Sequence, residues 1–248
     1  MGVFFDEIPE HLIEWINAQH LFWVASAPLS QTGHVNISPK GVAGTFQVID
    51  NKTVMYQDLS GSGSETIAHL RENGRITVLF QAFSGAPRIV RLFGTGVWYE
   101  FGSDEYHRFI PDSERLPGSR AAIIVSVHKV GTVCYAVPFY SFEGHRTQLL
   151  DFFEKREACE KADPNSTNGL RHYWAMKNAA SVDGLPGLRI AELTAKERGV
   201  DPFALKPFVR TRNLWLSGGL VNWGPVLSRL ATVSTEARIR RVNVTESH

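Results

Sequence analysis

Apolar positions change their spacing early in the chain. Ile8, Leu12, Trp15 and Ile16 recur at helical intervals and predict a helix over residues 6–19, with Asp6 as N-cap and Pro9 in its first turn. Beyond it the period shortens. Residues 21–27 form a short apolar run, and 34–39 alternate Val35 and Ile37 against Asn36 and Ser38. Residues 45–48 and 53–57 continue the theme, parted by Gly44 and by Asp50-Asn51. Four short strands with tight turns predict an antiparallel meander. Strict alternation would place Val35 and Ile37 in the core and Asn36, Ser38 and Lys40 on the opposite face.

Ser60-Gly-Ser-Gly-Ser then opens a predicted helix over 65–73, with Glu65 in its first turn and Ile67 and Leu70 on one face. Strands over 75–81 and 88–99 follow, joined through Ser84-Gly-Ala-Pro, and a short helix over 103–109 starts at Ser103 or Asp104. An apolar strand over 121–127 and another over 133–142, interrupted at Pro138, close this part. From 145 to 180 the pattern is helical, broken at Asp163-Pro-Asn. Many short strands with inserted helices give an α+β class and a barrel-like antiparallel sheet. The strand–helix alternation of a doubly wound parallel sheet is missing. The expected organisation is a barrel domain over 1–143, a helical extension over 144–194 packing on it, and a basic tail over 195–248.

Composition narrows the function. Of 248 residues, 43% are apolar and 21% charged, as in an ordinary globular protein. The net charge is +1, too small for a field that gathers nucleic acid. Two cysteines, Cys134 and Cys159, cannot close a zinc site alone, and nine histidines show neither H-x-x-x-H nor H-E-x-x-H, so no metal is expected. The first residues carry Asp6 and Glu7 where a targeting peptide would carry base, which points to the cytoplasm. From Asp201 onward there are seven basic residues against three acidic. Within that tail, 214–233 alternates apolar residues with Asn222, Pro225 and Arg229. It reads as a helix packing on the barrel or its mate, with an interfacial membrane helix as the other reading.

Three segments could carry chemistry. The turn Ser62-Gly63-Ser64 lies at a helix N-terminus, where unsatisfied N–H groups and hydroxyls form either a phosphate cradle or an ordinary capped turn. It is neither G-x-G-x-x-G nor a P-loop, since no lysine follows. Asn36, Ser38 and Lys40 present polar groups along one strand, either to a ligand or to water. Arg88 and Arg91 lie on opposite faces of one strand among apolar neighbours, so each needs an acceptor, from Asp58, Glu100 or a ligand.

Taken in order, several stretches resemble the pyridoxamine 5′-phosphate oxidase-like family, the FMN-binding split β-barrels. They are Phe4-Phe-Asp-Glu-Ile-Pro, His20-Leu-Phe-Trp-Val-Ala-Ser-Ala-Pro-Leu, Gly33-His-Val-Asn-Ile-Ser-Pro-Lys-Gly, Leu70-Arg-Glu-Asn-Gly-Arg-Ile-Thr, Pro87-Arg-Ile-Val-Arg-Leu-Phe-Gly-Thr-Gly and Pro117-Gly-Ser-Arg. The likeness continues through Gly169-Leu-Arg-His-Tyr-Trp-Ala-Met-Lys-Asn-Ala-Ala-Ser-Val-Asp-Gly-Leu-Pro-Gly-Leu and fades after it, and the branch it is most similar to is not that of the vitamin B6 oxidases. The resemblance implies a homodimer with FMN in a groove between subunits, acting as an oxidoreductase on a small organic substrate. A non-catalytic flavin- or haem-binding protein on the same scaffold is the alternative. By the same resemblance, Asn36, Ile37, Ser38 and Lys40 contact the flavin and ribityl chain, and Tyr56 and Gln57 line the cofactor. Ser62, Gly63 and Ser64 hold its phosphate, Arg88 faces the flavin, and Lys40, Arg88 or Arg91 supplies positive charge. Where vitamin B6 oxidases carry an Arg-Lys pair at the phosphate loop, this chain reads Ser-Gly-Ser-Glu-Thr.

Overall fold

A computed structural model describes residues 2–133, 137, 138 and 140–203. The tail segment 214–233 and Cys134 lie outside the described residues. Eight strands form one antiparallel sheet in the order β3-β2-β6-β7-β8-β5-β4, with β1 added to β8. They are β1 (Val3–Phe5), β2 (Phe22–Ser26), β3 (Asn36–Lys40), β4 (Phe46–Asp50), β5 (Thr53–Leu59), β6 (Arg75–Gln81), β7 (Ile89–Glu100) and β8 (Ser119–Val133). The helices are α1 (Glu10–Asn17), α2 (Glu65–Asn73), α3 (Asp104–Phe109), α4 (Gln148–Ala162), α5 (Leu170–Lys177) and α6 (Arg189–Arg198).

β8 is the spine. Its first half pairs with β5 and β7, and its last residues pair with β7 and β1. The ladder shifts register opposite Phe93 and Gly94, which leaves His128 as the extra residue of a bulge where the strand bends between partners. Of the strand expected over 133–142, Val133 belongs to β8, residues 137, 138 and 140–142 are in no strand, and 134–136 and 139 lie outside the described residues.

The two edge strands, β3 and β4, each reach across a split to the opposite half of the sheet. Phe46 of β4 packs on Phe22 and Phe80, ring centroids 5.0 Å away in each case, and Lys40 of β3 donates to Asp58 of β5 at 2.8 Å. The closed space holds Val24, Val78, Val90, Leu92, Ile123, Val125 and Tyr56, all fully buried, with Leu12 and Ile16 of α1 against them. This is an α+β split β-barrel.

Two local expectations change. Helix α1 begins at Glu10, because Pro9 is still extended at ψ 142° and so stands at the N-cap and not in the first turn, and Asp6 lies outside it. The facing of β3 is also inverted. Val35 and Ile37 are 70% and 64% exposed, while Asn36, Ser38 and Lys40 point inward. β3 is an edge strand, and what lies inside it is polar (Ser26, Thr66, Asp58), so its polar face turns to them.

The helices after residue 147 pack on the barrel at fixed points. Arg115 makes a two-pronged bond to Glu157 of α4, and Glu157 also accepts from the Gly118 N–H at 2.6 Å. Glu100 at the end of β7 accepts the N–H groups of Arg189 and Ile190, capping α6. Trp174 of α5 is 1% exposed and donates to Ser60 at 2.7 Å. Among the described residues no helix is long and apolar enough to cross a membrane.

Candidate functional site

The serine–glycine turn joins β5 to α2. Ser60 is fixed underneath: its N–H and its hydroxyl both donate to Gly118 O, and its oxygen accepts from Trp174. Gly61 and Gly63 are half-buried, Ser62 is exposed and Ser64 is buried. Both glycine carbonyls are occupied. Asn178 Nδ2 donates to Gly61 O at 2.9 Å and Gly63 O at 3.3 Å, and Arg120 Nη1 donates to Gly63 O at 2.8 Å. The main-chain N–H groups of Gly61, Ser62, Gly63 and Ser64 have no partner among the described residues. The Ser64 hydroxyl is likewise buried without one, and it does not cap α2. Such donors at the positive end of a helix suit an anion.

β3 supplies a polar chain beside this turn. Ser38 donates to Asn36 Oδ1 at 3.1 Å, and Asn36 Nδ2 donates to Thr66 Oγ1 at 3.1 Å and Ser26 Oγ at 3.4 Å. Ser26 Oγ lies 2.9 Å from His69 Nδ1. His69 Nε2, on the other side of the ring, is buried without a partner. Burial lowers the His69 pKa against the raising effect of Asp183, Glu72 and Ser26, in keeping with a neutral ring.

Beneath the turn, Asp58 is fully buried and accepts from Lys40 at 2.8 Å and Arg120 Nε at 2.8 Å. Burial alone would raise its pKa, but Arg120 and Lys40 outweigh that and hold the carboxyl below its ordinary value. Two cations share one carboxylate, leaving one positive charge uncompensated within this triad.

A strap between α5 and α6 lies alongside. Val182 N–H donates to both oxygens of Glu65 at 3.0 Å, and Arg71 of α2 donates to Gly187 O at 2.6 Å. A Cβ on Gly187 would stand 2.4 Å from Ser64 Oγ and 2.2 Å from Asn178 O, so only glycine lets the strap lie this close. Asp183 accepts from His34 N–H at 2.7 Å and pairs with His34 Nδ1 at 2.6 Å.

That exposed pair gives a test. The hydrogen bond and charge of Asp183 raise the His34 pKa, so the attraction is complete below the ordinary value of 6.5 and is lost as pH rises through the higher folded value. NMR titration should place His34 above 6.5 in the native chain and return it to about 6.5 in Asp183→Asn. Equal values in the two proteins would show that Asp183 does not hold the ring.

The structure gathers Asn36, Ser38, Lys40, Ser62, Gly63 and Ser64 around one turn. The others stand elsewhere. Ile37 points outward. Tyr56 lies wholly inside the barrel, its hydroxyl without a partner and its pKa driven up by burial. Gln57 spends its amide on the 114–116 loop, donating to Glu114 O at 2.8 Å and accepting from Leu116 N–H at 3.2 Å. Arg88 stacks over Trp15 at 5.5 Å, and Arg91 lies on the outer sheet face in register with Leu79 and Gly131. Neither arginine makes a hydrogen bond to the turn. Asp58 and Glu100, read as their acceptors, are taken by Lys40 with Arg120 and by the α6 N-terminus.

Sequence reasoning missed Arg120 and Asn178. Arg120 is as anomalous as Arg88 and Arg91, a lone cation at the head of the run Ala121–Val125, and that signal could have found it. Asn178 meets Gly61 from 117 positions away and carries no local sign.

Known proteins bear on this arrangement. The family model described as "Pyridoxamine 5′-phosphate oxidase" matches residues 8–134. A pyridoxamine 5′-phosphate oxidase family protein of Aspergillus flavus, ustO, is 38% identical over 199 residues, spanning 77% of this chain and 80% of that protein. The chain belongs to the pyridoxamine 5′-phosphate oxidase family. Solved structures similar to it include HupZ of Group A Streptococcus, at 24% identity and a TM-score of 0.41 over 50% of this chain and 91% of that one. An FMN-binding protein of Syntrophomonas wolfei is 13% identical with a TM-score of 0.34, covering 48% of this chain and 80% of the other. Within the family-matched stretch lie the turn, β3, Asp58 and Arg120. Asn178 and the strap lie beyond it.

Proposed function

We propose that this family member binds FMN, with the phosphate at the turn 61–64 and the ribityl chain along Asn36 and Ser38, and acts on a small organic substrate. The observation that carries this reading is the turn itself: adjacent N–H groups and a buried hydroxyl without protein partners, backed by an arginine. Bound FMN supplies the hydride or electron transfer. The chain's own residues do the holding. Asn36 and Ser38 are pre-ordered by Thr66 and Ser26, so little rotamer freedom remains to be lost on binding. Lys40 retains donors beyond the one given to Asp58, and these can meet the carbonyl edge of an isoalloxazine ring.

The outer sheet face fits a second copy of the chain. Phe4 and Ile37 are each 64% exposed, and Trp23, Leu79 and Phe93 are half-buried on the same side, an apolar surface that pairing would cover. A homodimer in the cytoplasm completes the proposal.

Purified protein should carry, or take up on addition, FMN with a perturbed visible absorption spectrum, and NADH or NADPH should bleach it. A colourless protein that takes up no FMN overturns the reading. Flavin that binds but is never reduced leaves the binding half alone standing.

A further inference from the structure

The turn has no lysine or arginine of its own, and we propose that Arg120 and Asn178 stand in as positioning residues, gripping its carbonyls so that its amides face a phosphate monoester. The inference rests on the FMN reading and deepens it, by naming what makes the site selective for the phosphate.

The geometry is that of the peptide plane. In a trans peptide the C=O and the following N–H point in opposite directions, and the described residues contain no cis bond. Gly61 O is fixed by Asn178, which directs the Ser62 N–H away from the clamp. Gly63 O is fixed by Asn178 and Arg120, which does the same for the Ser64 N–H. Free glycines would sample many orientations, so the clamp removes that freedom before a ligand arrives.

Arg120 also brings charge. It is 4% exposed, directly behind Gly63, and shares Asp58 with Lys40. A charge so placed is little screened by water and favours a dianion at the turn. Glu65, the acidic first residue of α2, accepts the Val182 N–H and ties down the strap that carries Asn178.

Asn178 is itself held from both sides: its N–H donates to Trp174 O at 2.7 Å and its carbonyl accepts from Leu188 N–H at 2.9 Å. It comes from the extension, so the extension belongs to the cofactor site as well as to the fold.

The test compares FMN with riboflavin, which lacks only the phosphate, by fluorescence titration of the full chain. Native protein should prefer FMN. Asn178→Ala should weaken FMN by about tenfold or more and leave riboflavin within about twofold, the loss of roughly 1.4 kcal/mol falling on the phosphate alone. Arg120→Lys keeps a cation on Asp58 but loses the fork that reaches Gly63 O, and it should show the same selective loss if the alanine variant fails to fold. A merely structural role would weaken both flavins equally. Equal losses, or none, in a folded variant overturn the inference while the FMN reading stands. Native protein that takes up no FMN removes that reading, and the inference with it.

Discussion

Asp58→Asn is expected to destabilise the protein by about 3–5 kcal/mol, the range for breaking a buried ion pair by removing one partner. The carboxylate is fully buried and faces both Lys40 and Arg120, so its neutralisation leaves the buried Arg120 and the partly exposed Lys40 without a counter-charge. It also joins β5 to β3 across the split, so the loss falls on the closure of the barrel. The sign of the pH dependence follows from its lowered pKa. The contribution is present in full above the ordinary value of 3.8 and disappears as acid is taken through the lower folded value. Urea unfolding should show the deficit at neutral pH, and the difference between the two proteins should shrink on acidification. An Asp58→Asn protein as stable as the native one at neutral pH would show that the triad contributes nothing net.

Trp174→Ala should cost about 3–5 kcal/mol, as expected for removing a large buried aromatic side chain. The indole is among the largest wholly buried side chains, and its N–H donates to Ser60, which in turn donates to Gly118 O. Its removal opens a cavity between α5 and the barrel and frees the floor of the turn at the same point. Denaturant unfolding checks the magnitude. A loss under about 1 kcal/mol, the range of an ordinary surface substitution, would mean that the extension merely decorates the barrel.

Where local chemistry decides, the chain was legible. Helix α2 runs over Glu65–Asn73 as its punctuation foretold, ended by Gly74 in the left-handed conformation at φ 70°. Ser103 caps α3 by accepting from Tyr106 N–H. β6, bounded by Gly74 and by the 82–87 connection, is found where alternation put it. The facing of β3 was illegible for a definite reason. Alternation shows which residues share a face but not which face is inward, and apolar-in fails where an edge strand meets a polar interior.

The site was half visible for a similar reason. The turn and the polar face of β3 are contiguous in sequence, and their residue types announce themselves. What converts them into a site arrives from afar: Arg120 meets Gly63 across 57 positions, and Asn178 meets the same carbonyl across 115. Arg88 and Arg91 are cations among apolar residues, yet Trp15 occupies one and the outer face the other. The turn carries no cation of its own; the guanidinium of Arg120 lies behind it, on a carbonyl.

Amide resonances of Gly61–Ser64, followed by NMR as FMN and then riboflavin are added, report most directly on whether this turn grips a phosphate. The expected result is a large shift of these four amides with FMN and little change with riboflavin at matched saturation. Amides that stay in place while FMN binds would put the phosphate elsewhere and contradict the assignment of the turn.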